Sequence, residues 1–184
     1  MRIDRLRSAW HLLVSLAFAP GFLAHECAHA VACRVWGVEV RAGPALNPFD
    51  GAASLEHDPV RSFWADLTIA TAPMVGNSAL AIAAFGAAMT VEGAAIVVST
   101  GAIDALPVVF ALLGACFGLT AVPSPADTDR LLETARGLST GARPIGVPLA
   151  AVVRAVTARS AITGLAAFGW TIALYVAVTG TPPG

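Results

Sequence analysis

A chain of 184 residues with 57% hydrophobic and only 12% charged residues lies far below the roughly one-quarter charged share of soluble domains. Its mean hydropathy of +0.74 excludes an ordinary soluble enzyme and makes a lipid bilayer the natural solvent and partner. The 11 basic residues are all arginine and nearly balance 12 acidic ones, so no basic face exists to track a phosphate backbone, and nucleic acid is not expected as a partner.

The chain begins with Arg2, Arg5 and Arg7 ahead of an apolar run from Ala9 to Ala19, the outline of a secretory signal peptide. However, Ala17-Phe18-Ala19 is followed by Pro20, an awkward place to cleave, and apolar sequence continues to Trp36. A retained first membrane helix is therefore expected. Four stretches approach the roughly 20 residues needed to cross a hydrocarbon core: Ser8 to Trp36, Asp66 to Thr90, Gly101 to Val122 and Ala161 to Val178. Pro20-Gly21 should kink the first, because proline removes an intrahelical hydrogen bond.

Between the first two spans, Gly37 to Asp58 alternates weakly around Gly, Pro and Asn-Pro breakers and predicts a short β-hairpin. Glu92 to Ser99 is too short to cross a membrane and is expected as a tight connection or re-entrant piece. Ser124 to Ser160 carries five of the eleven arginines and predicts an interfacial helical region. The expected fold is thus an all-α polytopic membrane protein, with about four transmembrane helices and one hairpin. Arginine clusters before the first span and after the third fall on opposite sides of the bilayer, so the positive-inside rule leaves the orientation open. The three cysteines, Cys27, Cys33 and Cys116, lack metal-type spacing and read as small buried hydrophobes.

Chemistry concentrates in the first span, at Leu23-Ala24-His25-Glu26-Cys27-Ala28-His29-Ala30, the H-E-x-x-H pattern on an apolar helix. Histidines four apart share a helical face and can both offer a nitrogen to one zinc ion. Glu26, beside them, is placed to act as general base on a water at the metal and then as acid toward the leaving amine. Charged groups near the centre of a span cost roughly 2.5–3.5 kcal/mol each, so such a group is not carried idly. The plainer alternative is hydrogen bonding of His25 and His29 to neighbouring helices, with Glu26 paired to an arginine. His11 and His57 lie outside the pattern and read as ordinary interfacial residues. A catalytic zinc takes a third protein ligand; the candidates are Asp127, Asp129 and Asp104. Asp127 also has a helix-capping reading, in Ser124-Pro125-Ala126-Asp127.

These residues resemble the site-two protease family of intramembrane zinc metalloproteases. The resemblance rests first on H-E-x-x-H followed by Trp36-Gly37-Val38-Glu39-Val40, similar to the family's helix running into a hairpin. Ala72-Pro73-Met74-Val75-Gly76-Asn77 is similar to its G-P-x-x-N, with alanine for the glycine and one residue inserted before the asparagine. Thr120 to Asp129 is similar to its N-x-x-P followed by L-D-G, with threonine for the asparagine and no glycine after the aspartate. The likeness covers roughly residues 23–131. It implies a single membrane-embedded metalloprotease domain over 1–184, with a catalytic core at about 8–131, the interfacial region at 124–160 and a final span at 161–178.

It further implies Zn2+ held by His25, His29 and an aspartate that falls one residue early at Asp127, taken here as the ligand, or one late at Asp129, with Glu26 catalytic and Asn77 in contact with substrate. Asn77 by itself reads as a helix-to-helix hydrogen bond, among small residues that let helices approach closely. The implied activity is hydrolysis of peptide bonds in transmembrane protein substrates by a multi-pass protein of the cell membrane. Such a substrate must first unwind, since a helix hides its peptide bonds, and the Val38 to Leu46 hairpin is a plausible clamp by strand addition. Pro20, Pro73 and Pro107 are candidate flex points or static kinks. Two readings compete: a membrane metal-binding or transport protein, which tolerates Glu26→Gln, and a non-catalytic scaffold or pseudo-protease with weak or absent zinc, which tolerates change at His25. Oligomeric state and substrate identity are not encoded in any of these motifs.

Overall fold

The computed structural model describes residues 2–47, 52–95, 105–157 and 159–180. Long apolar runs free of internal breakers other than proline fold as helices, and the chain order is α1 (Arg2–Val35), β1 (Val40–Asn47), β2 (Ala52–His57), α2 (Phe63–Ala95), α3 (Ala105–Leu119), α4 (Pro125–Arg136), α5 (Arg143–Thr157) and α6 (Ser160–Thr179). Among the described residues, three helical segments are long and apolar enough to cross a membrane: Leu12–Val35, Phe63–Val91 and Ala161–Thr179. The expectation of four spans is met by three of that length. Of the remaining stretch, Ala105–Leu119 form the 15-residue helix α3, about 22 Å at 1.5 Å per residue; residues 101–104 fall outside the described residues.

The surfaces of these helices are apolar outward. Leu13, Val31, Val75, Leu112, Leu165 and Phe168 are all well exposed, an arrangement unfavourable in water and natural against lipid acyl chains. Pro20 lies inside α1 and Pro73 inside α2, while Pro107 stands at the start of α3. Glu92 to Ala95, expected in a tight connection, instead continue α2; the rest of that stretch falls outside the described residues.

α1 ends where Gly37 adopts a left-handed φ of 65°. The Val38 N–H returns to the Cys33 carbonyl and the Gly37 N–H to the Arg34 carbonyl, with Val38 packed beside Cys33. This is the Schellman arrangement, in which a glycine carries the conformation that a side chain disfavours. The turn delivers the chain into the expected hairpin. β1 and β2 pair antiparallel from Val40 opposite His57 to Asn47 opposite Ala52, with register irregularities on either side of Ala42. The hairpin base is closed by the Asp58 N–H on the Glu39 carbonyl and by an ion pair between Arg41 and Asp58. As a two-stranded sheet it retains unpaired outer edges.

Packing gathers the remaining helices around α2. A core cluster of Phe63, Ala70, Leu131, Ala135 and Ala150 joins the first half of α2 to α4 and α5, so the expected interfacial region is helical and docks on the membrane helices. A second cluster, Ala81, Phe85 and Leu174, fastens α6 to α2, with Phe85 and Tyr175 edge to face at 5.4 Å. The Trp170 indole N–H donates to Ser78 Oγ at 2.8 Å.

Candidate metal centre

His25 and His29 lie four residues apart on α1, and both are buried, at 8% and 4% exposure. Cys27, half a helical turn away from both, faces outward and is exposed; only Cys33 and Cys116 are buried as expected. The two imidazoles stand edge to face, with centroids 4.9 Å apart. Each is oriented by a backbone carbonyl of another segment. His25 Nδ1 lies 2.7 Å from the Thr120 carbonyl oxygen, just past α3, and His29 Nδ1 lies 2.8 Å from the Ile69 carbonyl oxygen in α2. A carbonyl only accepts, so each Nδ1 carries the proton and donates. In the neutral rings each Nε2 is left as a bare lone pair.

Those lone pairs converge on Asp127. Its Oδ2 lies 3.5 Å from His29 Nε2 and 3.9 Å from His25 Nε2, and one ligand atom from each of the three residues lies within 4.8 Å of the others. The sequence at 124–127 explains why Asp127 is held there. Ser124 is the N-cap of α4, Pro125 follows it, and a capping box joins Ser124 to Asp127. The Ser124 N–H and hydroxyl donate to the same Oδ2 at 2.9 and 2.6 Å. Capping and convergence on the histidines are therefore performed by one carboxylate, not divided between two residues. Burial alone would push the Asp127 carboxyl up. Where the imidazoles of His25 and His29 are protonated, they and the Ser124 hydroxyl outweigh it and hold the group well below the usual carboxylate range.

Two imidazole lone pairs facing a carboxylate oxygen repel one another unless a cation lies between them. His29 Nε2 is buried and lacks a hydrogen-bond partner, because 3.5 Å is too long for a charge-assisted bond. Four-coordinate ligands at 2.0–2.2 Å from a metal stand about 3.3–3.6 Å apart, close to the separations seen. The nitrogen and oxygen donors, their fixed tautomers and the backbone carbonyls behind them fit a metal ion, and His25, His29 and Asp127 can hold one. Glu26, half-buried on the same helix, is within electrostatic reach of all three.

The other aspartates do not join this group. Asp129 points away from it and pairs with Arg154 at the surface, and Asp104 lies outside the described residues. Asn77 is fully buried. Its Nδ2 donates to the Gly21 carbonyl at 3.0 Å, the Thr120 carbonyl at 3.2 Å and the Thr120 hydroxyl at 2.9 Å, so it ties α1, α2 and the end of α3 together. The close approach at Gly21 makes this possible, since a Cβ there would stand 2.4 Å from Thr120 Oγ1. Motif reading missed the Thr120 and Ile69 carbonyls, because a backbone acceptor leaves no mark in side-chain identity. His57 stands apart from this group: its Nδ1 bonds the adjacent Asp58 carbonyl and its Nε2 meets Arg130 of α4.

Comparison with protein-family models, with curated proteins and with solved structures finds no match to this chain. Functional inference therefore rests on the site itself.

Proposed function

We propose that this protein is a multi-pass intramembrane zinc metalloprotease of the cell membrane, acting on transmembrane protein substrates as the resemblance to site-two proteases implies. The observation that carries the reading is the convergence of His25, His29 and Asp127, with Glu26 adjacent, on a helix long enough to cross a membrane. Zinc is the metal that the H-E-x-x-H pattern with a carboxylate third ligand implies. When bound, it supplies a Lewis acid for the scissile carbonyl and acidifies water at the site.

The chain's own residues do the rest. The Thr120 and Ile69 carbonyls hold both imidazoles with Nε2 turned inward. Glu26 takes a proton from the attacking water and returns it to the departing amine. An unwound substrate segment pairs with a free edge of the β1–β2 hairpin, which follows directly on α1 through the Gly37 turn, and main-chain hydrogen bonds hold it extended.

The test is zinc content of the purified protein in detergent, for wild type, His25→Ala and Asp127→Ala, with cleavage of a model transmembrane substrate by wild type and Glu26→Gln. One zinc per chain that disappears in both ligand variants, together with cleavage abolished by Glu26→Gln, supports the protease. Zinc retained with no cleavage by wild type favours the non-catalytic metal-binding protein. Absence of zinc under metal-replete conditions overturns the metal centre.

A further inference from the structure

A polar cavity of about 600 Å³ lies between the chain leaving β2, the start of α2 and α4, with His57, Arg61, Asp66, Arg130, Glu133 and Thr134 in its walls. It borders the metal centre without belonging to it. Asp66 is one helical turn before Ile69, the residue that orients His29, and Arg130 is one turn after Asp127 on α4. Asp66 is only 5% exposed. The Thr134 side chain lies close to its carboxyl, yet its Oδ2 has no partner. Asp66 lines the cavity, and a buried carboxyl short of donors is costly, so this wall favours an N–H or O–H group.

The cavity's depth in the membrane narrows the choice. α1 ends and α2 begins on the same side, joined by the hairpin, and these ends carry the exposed indoles of Trp36 and Trp64. Tryptophans at the ends of spans mark the headgroup level of a bilayer. At that level Arg61 and Arg130 offer the forked donors that suit a phosphate, while Asp66 and Glu133 suit an ammonium. The volume lies in the range of small-ligand sites.

We propose that this cavity binds the headgroup of an aminophospholipid, with its phosphate on Arg61 and Arg130 and its primary ammonium donating to the Asp66 carboxyl beside Glu133. A phosphocholine headgroup has no N–H to give and leaves Asp66 unsatisfied. A phosphoglycerol headgroup brings no cation to the two carboxylates. The binding stands independently of peptide hydrolysis.

The experiment is native mass spectrometry of the full chain released from nanodiscs. The discs contain phosphatidylethanolamine, its N-methyl and N,N-dimethyl derivatives, phosphatidylcholine and phosphatidylglycerol, all with matched acyl chains. Wild-type protein is expected to retain phosphatidylethanolamine about tenfold over phosphatidylcholine, the scale of one charge-assisted hydrogen bond. The sharpest drop is expected at the third methylation, which removes the last N–H. Asp66→Asn should abolish that preference, whereas Arg61→Gln with Arg130→Gln should lower retention of every phospholipid. Equal retention of phosphatidylethanolamine and phosphatidylcholine by wild type, a requirement that depends on no variant folding, overturns the proposal. So does a preference for phosphatidylglycerol, or an unchanged preference in folded Asp66→Asn. Co-purification of a peptide in the cavity with no lipid preference would assign the site to substrate and overturn it equally.

Discussion

Replacing Gly21 with alanine perturbs the candidate metal centre without touching His25, His29 or Asp127. The added Cβ would stand 2.4 Å from Thr120 Oγ1, 2.8 Å from the Cys116 carbonyl oxygen and 2.9 Å from Cys116 Sγ, against 3.4 Å for ordinary contact. One of these atoms is backbone, so a side-chain rotation cannot relieve the clash, and α3 must retreat from α1 by somewhere between half an ångström and about 1 Å. Overpacking of this kind destabilises by about 1–3 kcal/mol. The retreat carries the Thr120 carbonyl away from His25 Nδ1, now at 2.7 Å, and loosens the orientation of one ligand. Loss of a group that orients a ligand lowers metal affinity about 10–100-fold. Competition with a chromogenic chelator in detergent measures it, with Gly169→Ala as control because nothing lies within 4 Å of a Cβ there. Gly21→Ala with affinity within twofold of the control would refute the claim that α3 orients His25.

Three further substitutions separate the roles assigned above. Asn77→Ala removes three donor contacts among buried groups; it should cost about 1–3 kcal/mol, read as a lower thermal midpoint in detergent, and an unchanged midpoint argues against the three-helix tie. Ser124→Ala removes the cap of α4, worth about 1 kcal/mol, and frees Asp127, so chelator competition should show metal affinity falling by at least about tenfold. Asp129→Asn breaks only a surface pair with Arg154; stability should change by less than about 1 kcal/mol with metal content intact, and metal loss in this variant would overturn the placement of Asp127.

Much of this architecture is legible in the residues alone, for identifiable reasons. The H-E-x-x-H spacing places His25 and His29 on one face because helical geometry is local, and the weak alternation with turn residues after Gly37 announces a hairpin for the same reason. What fails to show is whatever depends on a distant segment. The outward face of Cys27 follows only once the inward face of its neighbours is known. Asp127 looked like either a cap or a ligand because local pattern cannot reveal that α4 docks its first turn against α1. Asp129, two residues on, carries the same side chain but points toward Arg154. α3 reads as a span from composition, yet its described helix covers 15 residues, since hydropathy measures solvent preference and not the place where a helix stops.

That stopping place has its own consequence. The last carbonyls of any helix lack intrahelical partners, and the Thr120 oxygen, just past the end of α3, finds His25 and Asn77 instead. Were the helix to run one turn further, the Ser124 N–H would claim that oxygen, and the same N–H is now committed to Asp127 Oδ2. A single termination event thus sets the tautomer of one ligand and anchors the carboxylate of another. The length of α3 is in this sense part of the coordination chemistry, and a mutation that merely improves helix propensity around Val122 and Pro123 would compete with metal binding from outside the ligand set.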